Sequence, residues 1–450
     1  MAIGFDFGTS NCSVAHVVNN NVQTISLSGK ESFILSALCA PTRETVSEYL
    51  FSCLNILPMN SVGEGVLRHA IAENRAEGLK VKSDDVLFGQ QALDLYLEDP
   101  DFVYYVKSPK SFLGTLQLRD PQLALFEDIV CAMMANIKTR AEANLDREIT
   151  ETVIGRPINF NTRGGEKSNI QAEGILRRAA SRAGFKHIEF QFEPVAAGLD
   201  FESTLTSEKN VLVVDIGGGT SDCSLIRMGP KWLAKKDRSE TLLAHAGKSV
   251  GGNNLDISIA FQRFMPEFGK ETEYKSGVTI PTMTFWDPVA TNDVNAQRRF
   301  YSYENLEVLK RIRVEAKHPE KIDRLIQVHQ KALAHMVVGE SEKAKIALSN
   351  QSHYTANIDL LSEKIDIPML SEQMEKSIAE PMRQIKGLIK EILVQGEVAP
   401  DVVYITGGSA RSPIVRDTVK SVLPNTPIVS GNYLSSVTEG LARWAHLCFR

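Results

Sequence analysis

Hydrophobic residues fall into two kinds of run along this chain. Short continuous blocks such as Val211–Val214 read as buried strands. The blocks Ile3–Phe7 and Cys12–Val18 flank a turn at Gly8, Thr9, Ser10 and Asn11, which predicts a hairpin. Residues 211–227 repeat the pattern: an apolar run, a turn of sequence IGGGTSD and a return strand CSLIRM. Further strands are expected at Thr152–Ile154, Ile188–Gln191 and Val402–Thr406, the last followed by Gly407, Gly408 and Ser409. Between them apolar residues recur at helical spacing. Residues 122–145 carry Leu125, Ile129, Val130, Met133 and Ile137, and Ile170–Ala183 ends at Gly184, a C-cap residue. Ile378–Leu393 places Met382, Ile385, Leu388, Ile389 and Ile392 on one face, and Val437–Cys448 closes the chain as a helix. Strands alternating with helices predict an α/β protein with a parallel or mixed sheet. The two similar hairpins lie about two hundred residues apart, which predicts a duplicated α/β unit rather than a short-period repeat.

Composition narrows the class. At about 150 residues per domain, 450 residues make roughly three compact units. Hydrophobic residues are 43% and charged residues 23%, as in globular proteins, so disordered and fibrous classes are excluded. Fifty basic residues against 55 acidic ones give a net charge of −5, so no nucleic-acid or membrane partner is expected. No run approaches the ~18 apolar residues of a membrane helix, and the N-terminus lacks the basic start of a signal peptide. The six cysteines are not at metal-ligand spacing, which predicts reduced thiols and a cytoplasmic protein. Residues 42–100 and 265–330 fit the alternation poorly and read as insertions. The basic run 231–238 reads as a solvated strand or turn.

Three glycine motifs carry the candidate chemistry. In the first, Asp6 ends a buried strand and precedes Gly8, Thr9, Ser10 and Asn11. Amides and hydroxyls at such a turn can wrap an anion, and a carboxylate there needs a partner or a metal. The same residues also fit a plain hairpin with Asp6 bonding local amides. The second motif places Gly217, Gly218, Gly219 and Thr220 between Asp215 and Asp222. Three consecutive glycines cost backbone entropy, which a structural turn rarely bears. Two such turns facing each other would clamp the β- and γ-phosphates of a nucleotide, with Asp6 and Asp215 holding Mg²⁺ through water. No GxxxxGK[ST] loop is present. In the third motif, Gly407 and Gly408 allow close approach to a ligand and Arg411 can stack on a flat base; an ordinary strand-to-helix turn would read the same way.

In this order the motifs resemble the actin-like ATPase superfamily, and within it the heat shock protein 70 (DnaK) family, in particular its short YegD type. IGFDFGTSN and VVDIGGGTSD resemble the two phosphate motifs, EPVAAGLDF (Glu193–Phe201) the connecting motif, and GGNNLD (Gly251–Asp256) a further glycine element. EKAKIALS (Glu342–Ser349) looks like the adenosine helix and TGGSARSP the adenosine motif. The resemblance implies a two-lobed actin-like fold of duplicated ribonuclease H-like units around a central cleft. Lobe I would be residues 1–200 with outer subdomain 42–100. Lobe II would be residues 201–450 with outer subdomain 253–345, and helix 437–448 would return to lobe I. It implies ATP/ADP with Mg as cofactors. Asp6 and Asp215 would serve the metal. Gly8, Thr9, Ser10, Asn11, Gly217, Gly218, Gly219 and Thr220 would serve the phosphates. Gly251, Gly252, Glu342, Lys345, Ser349, Gly407, Gly408, Ser409 and Arg411 would serve the nucleoside side. Lys110 in KSPKSFLG aligns with the catalytic lysine, with Lys107 one turn away as competitor. Glu193 aligns with the residue that places the attacking water, and Asp222 with the second aspartate of its motif. Glu342, Lys345 and Ser349 fall on one helical face, which also suits an ordinary surface ion pair.

The resemblance departs in three places. The chain ends after its terminal helix, so no linker or peptide-binding domain is expected. Arg156–Phe160 only partly resembles the proline motif of interdomain signalling, and residues 161–168 read as an insertion, which puts that signalling in doubt. The two inserted regions diverge. The expected function is a chaperone-related ATPase acting with a protein partner or co-chaperone. The alternatives are a nucleotide-dependent polymer former and a small-molecule kinase.

Overall fold

The computed structural model describes every residue except Lys30, Asp101, Arg163, Ala234, Lys236, Asp237, Ser239, Leu361, Ser362, Asn432, Leu434 and Arg450. Parts of the 161–168 and 231–238 segments thus lie outside the described residues.

Two sheets share one topology. In the first, strands run in the order Asn21–Thr24, Asn11–Val18, Ala2–Phe7, Glu151–Arg156 and His187–Phe192, with Phe33–Leu35 added beside Asn11–Val18. In the second the order is Leu242–Lys248, Ser221–Met228, Lys209–Ile216, Val402–Thr406 and Ile428–Ser430. Each has an antiparallel hairpin followed by two parallel strands. The hairpin registers pair Asp6 with Ser13 and Asp215 with Asp222. Asp6 and Asp215 therefore occupy equivalent positions, near the carboxyl end of the first strand of each unit.

Helices Asp120–Leu145 and Gly165–Arg182 cover the first sheet, and their apolar faces join Ile3, Phe5 and Ile154 in one core. Helix Ala379–Gly396 covers the second, burying Ile385, Leu388, Ile389 and Ile392 against Leu212 and Leu225. The helix expected from Ile170 begins five residues earlier, at Gly165. Its first turn is polar, so hydrophobic spacing alone starts it late; the expected insertion is partly this first turn. Gly184 follows the helix at φ +98°, a backbone angle that favours glycine.

The poorly patterned regions are folded. Residues 37–107 hold a three-stranded sheet, Leu87–Phe88, Ala37–Ala40 and Tyr104–Lys107, with helices Arg43–Ser52, Ser61–Ala76 and Gln90–Glu98. Residues 252–348 are mainly helical and bury Phe264, Phe285, Phe300, Leu309 and Ile322. In the basic run, Pro230–Trp232 is a short 3-10 turn. Lys231 and Lys235 lie over the Trp232 ring at 4.9 and 4.6 Å, and Arg238 pairs with the fully buried Glu202 at 2.6 Å. Among the described residues no helix is long and apolar enough to cross a membrane.

The terminal helix Ser436–Cys448 sits between the sheets. Leu441 and Ala445 pack with Val153 of the first and Val213 of the second. Ser13 Oγ and Thr438 Oγ1 lie 2.5 Å apart, and the Tyr404 hydroxyl donates to Ser436 Oγ at 2.9 Å. Gly440 permits this packing: a Cβ there would stand 1.7 Å from the Ala196 carbonyl oxygen in helix Glu193–Glu202. Gly440→Ala is expected to cost roughly 1–3 kcal/mol by overpacking. Thermal unfolding checks this, and an unchanged melting temperature would show that the helix can shift.

Candidate functional site

The two glycine turns meet. A Cβ on Gly218 would stand 2.0 Å from Ser10 Oγ, and one on Gly219 would stand 3.0 Å from Thr9 Cγ2. Any side chain at Gly218 would thus close the gap between the turns. Gly407, at the end of Val402–Thr406, has φ +88°, and a Cβ there would meet Ile216 O at 2.4 Å.

A cavity of about 220 Å³ opens between the turns. Asp6, Gly8, Thr9, Ser10 and Asn11 line it from the first sheet, with Glu193. Asp215, Gly217, Gly218, Thr220, Gly252, Gly407, Gly408 and Ser409 line it from the second, with Glu342 and Lys345. Gly251 adjoins it, since Gly252 N donates to Gly217 O and Asn253 N to Gly218 O at 2.9 and 2.7 Å. Gly219 and Lys110 line a neighbouring chamber that shares Thr9, Glu193 and Thr220. Asp222 does not line the cavity; it lies beneath, 1% exposed, accepting from Ile158 N at 2.9 Å. Ser349 and Arg411 do not line it either. Ser349 Oγ donates to Lys345 O, and the Arg411 guanidinium lies 6.0 Å from the ring of Tyr433, which does.

Local structure separates the two lysines. Lys107 ends the strand Tyr104–Lys107. Ser108 then turns left-handed at φ +59°, and Pro109 starts the 3-10 turn Pro109–Phe112. Lys110 is carried inward, 4% exposed, and donates to Glu193 Oε1 at 2.5 Å and Gly155 O at 3.1 Å. Lys107 points elsewhere and pairs with Glu342 at 2.9 Å. Glu193 is placed where strand His187–Phe192 runs straight into helix Glu193–Glu202, with Pro194 in its first turn.

The electrostatics are those of crowded carboxylates around one cation. Burial, with the charge of Glu193 adding to it, pushes the Asp6 carboxyl up to about 7. The same two causes push Asp222 up to about 7. Asp215 is raised well above the usual carboxylate range by burial, then by Glu193, Asp222 and Asp6. Burial works against the Lys110 charge, yet Glu193 and Asp6 outweigh it and hold the ammonium above its ordinary value.

This donor set fits a hydrated divalent ion. Asp6 and Asp215 bring two crowded carboxyls to the cavity, and a divalent cation beside them would offset the burial and repulsion that raise both. Among the described residues no three metal-ligating side chains converge closely enough to hold a metal directly. Mg²⁺ keeps most of its waters and needs few carboxylates.

Several lining residues escape sequence reasoning. Asp256, 3% exposed and raised to about 6 mainly by burial, pairs with Lys345 at 2.8 Å. Phe33, Ile346 and Tyr433 also line the cavity, and Ile346 is exposed there. The aspartate of GGNNLD was a signal for the first; the other three carry none. Arg156–Phe160, the segment partly like the proline motif, touches the site through Ile158, whose N donates to Asp222, and through Pro157 and Phe160, which line the neighbouring chamber. Cys12 and Cys223 are core residues, and burial pushes the Cys12 thiol up to about 12.

Comparison with known proteins bears directly on this geometry. The family model described as Hsp70 protein matches residues 115–277 and 305–447, more than half of the chain. The chain belongs to the Hsp70 family. It accordingly has the actin-like ATPase fold, which the two like sheets display. A chaperone protein HscA homolog of Aliivibrio fischeri is 22% identical over 430 residues, 96% of this chain and 55% of that protein. The chaperone protein DnaK of Thermotoga maritima is 22% identical over 375 residues, 80% of this chain and 51% of that protein. The chain spans about half the length of the curated relatives it matches.

Proposed function

We propose that this chain binds ATP with Mg²⁺ in the cleft and hydrolyses it: ATP + H₂O → ADP + phosphate. The observation that carries this reading is the meeting of two acidic glycine turns, one from each sheet, beside a buried lysine–glutamate pair. Thr9, Ser10 and Asn11 would hold phosphate oxygens from one side, and Gly217, Gly218, Gly219 and Thr220 from the other. Asp6 and Asp215 would hold Mg²⁺ through water, and the ion would supply charge neutralisation on the phosphate oxygens. Glu193 orients the attacking water. That water's oxygen bonds to the γ-phosphorus as the bond to the β–γ bridging oxygen breaks. Lys110 offsets charge on the transferred group. Such a reaction needs positioning and charge neutralisation more than covalent help from the protein. Asp222 holds the Ile158 segment against the site. Asp256 fixes Lys345 for the ribose side, together with Glu342, Ser349, Gly251, Gly252 and Ser409.

Ile346 and Tyr433, with Arg411 beside the latter, would form the slot for the base. Tyr433→Ala is expected to weaken ADP binding roughly tenfold while leaving inorganic triphosphate binding unchanged. Calorimetry with both ligands checks it; equal losses would place Tyr433 outside the slot.

The chaperone names of the relatives support a protein partner. An ATPase assay of the purified chain with and without unfolded peptide tests this reading. Turnover in either condition supports the hydrolase, and stimulation by peptide supports a chaperone role. Absence of phosphate release in both contradicts the hydrolase.

A further inference from the structure

Beyond the nucleotide cavity lies a larger chamber of about 520 Å³. Thr9, Lys110, Glu193, Gly219 and Thr220 form its floor. Three of these, Thr9, Glu193 and Thr220, also line the nucleotide cavity. The chamber therefore opens from the place where the terminal phosphoryl group would react, on the side away from the base slot. A water needs roughly 10–15 Å³ of such space, so a hydrated anion fits with room to spare.

Its walls carry amides and hydroxyls: Thr115, Gln117 and Asn161 from one half, Ser249, Asn292 and Asn295 from the other. The loop bearing Thr115 is fixed from behind. Gln171 Nε2 donates to Leu113 O and Thr115 O, and Ser168 Oγ to Gly114 O. Gln117 is held at φ +65°, a sparsely populated angle for this residue type. On the floor, Ser111 Oγ is buried without a partner among the described residues, close to Gly219. Among the described residues, the charged lining groups are Lys110 and Glu193, paired with each other, and Asp293, whose carboxylate caps helix Val294–Phe300 by accepting from Asn295 N and Ala296 N. The neutral donors among the described residues offer exchangeable hydrogen bonds to an anion.

One stitch joins the two halves at the rim. Thr162 N donates to Ser249 Oγ at 2.9 Å, Ser249 N donates to Thr162 Oγ1 at 2.9 Å, and the two hydroxyls lie 3.2 Å apart. Both residues are exposed, and Asn161 and Ser249 line the chamber beside them.

We propose that this chamber is the exit for the orthophosphate product, separate from the base side of the cleft, and that the Thr162–Ser249 clasp sets how fast it opens. The inference rests on the hydrolase reading above. Its test is a single-turnover experiment on the full chain with ATP and Mg²⁺. ADP formation is followed by acid quench, phosphate release by a fluorescent phosphate sensor, and ADP release by a fluorescent ADP analogue. Thr162→Ala with Ser249→Ala is expected to speed phosphate release roughly fivefold, the factor for a lost hydrogen bond, with ADP formation and ADP release unchanged. Asn295→Trp, which narrows the chamber, is expected to delay phosphate release behind ADP formation. Phosphate and ADP release that stay at wild-type rates, or change by one common factor in both variants, would overturn the exit. Absence of ADP formation in the wild-type chain would instead overturn the hydrolase reading.

Discussion

Lys110→Ala is expected to lower ATP turnover by ~10²–10³-fold, the size of losing one preorganised charge-stabilising group, while nucleotide affinity stays nearly unchanged. The reason is location. Lys110 Nζ is fixed by Glu193 and Gly155 on the floor shared with the phosphate turns. Lys110 does not line the cavity that Ile346 and Tyr433 line, so its loss would remove charge at the proposed reacting end only. The variant also frees Glu193 from its cationic partner among the described residues, so Lys110→Arg is a useful companion. Arginine keeps the charge but not the point geometry, and it should recover only part of the loss. Lys107→Ala is the control. Lys107 pairs with Glu342 and its removal should spare the chemical step. Single-turnover rates on the three variants decide the matter; an unaltered Lys110→Ala rate would show that this lysine does not serve the reaction.

Asp222→Asn should make the nucleotide-free protein more stable above neutral pH. Burial and Glu193 raise the Asp6 and Asp222 carboxyls to about 7 in the folded chain, whereas an unfolded aspartate titrates near 3.9. Between these values the folded state holds protons that the unfolded state has released. Stability therefore falls as pH rises from about 4 to 7, and levels off above. Each such proton contributes a slope of about 1.4 kcal/mol per pH unit. Asparagine removes one titration and can still accept from Ile158 N. Melting temperatures across pH 5 to 8 should show a shallower decline in Asp222→Asn than in wild type. Identical slopes would mean that the carboxylate is already compensated.

The fold was legible where burial is one-sided or complete. The run Val211–Ile216 is entirely buried, and its partner Ser221–Met228 follows a glycine turn in which a Cβ on Gly218 would stand 2.0 Å from Ser10 Oγ. Short edge strands left no trace: Asn21–Thr24 is mostly exposed and Ile428–Ser430 has three residues. The hairpin His353–Asp359 and Lys364–Leu370 alternates buried and exposed positions. Its alternation at Ala356, Ile358, Ile365 and Ile367 is a strand signal, yet no strand was expected there.

The site divides along the same line. Turns that must bind an anion need glycine, hydroxyl and carboxylate together, and that combination is rare enough to read. Ile346, Phe33 and Tyr433 are ordinary residues in ordinary contexts, and only tertiary packing brings them to the cavity. The clasp at Thr162 and Ser249 joins residues 87 apart, a pairing no local pattern announces. Asp222 faces Asp215 across the hairpin, yet its carboxylate is covered by the Ile158 segment, whose N–H it accepts, and so it lies beneath the cavity.

The most direct measurement is a crystal structure of the Lys110→Ala chain grown with ATP and Mg²⁺. A triphosphate is expected in the cavity that the two glycine turns line, with a hydrated ion beside Asp6 and Asp215. A nucleotide bound anywhere else, or turns that pack together without one at saturating ATP, would contradict that expectation.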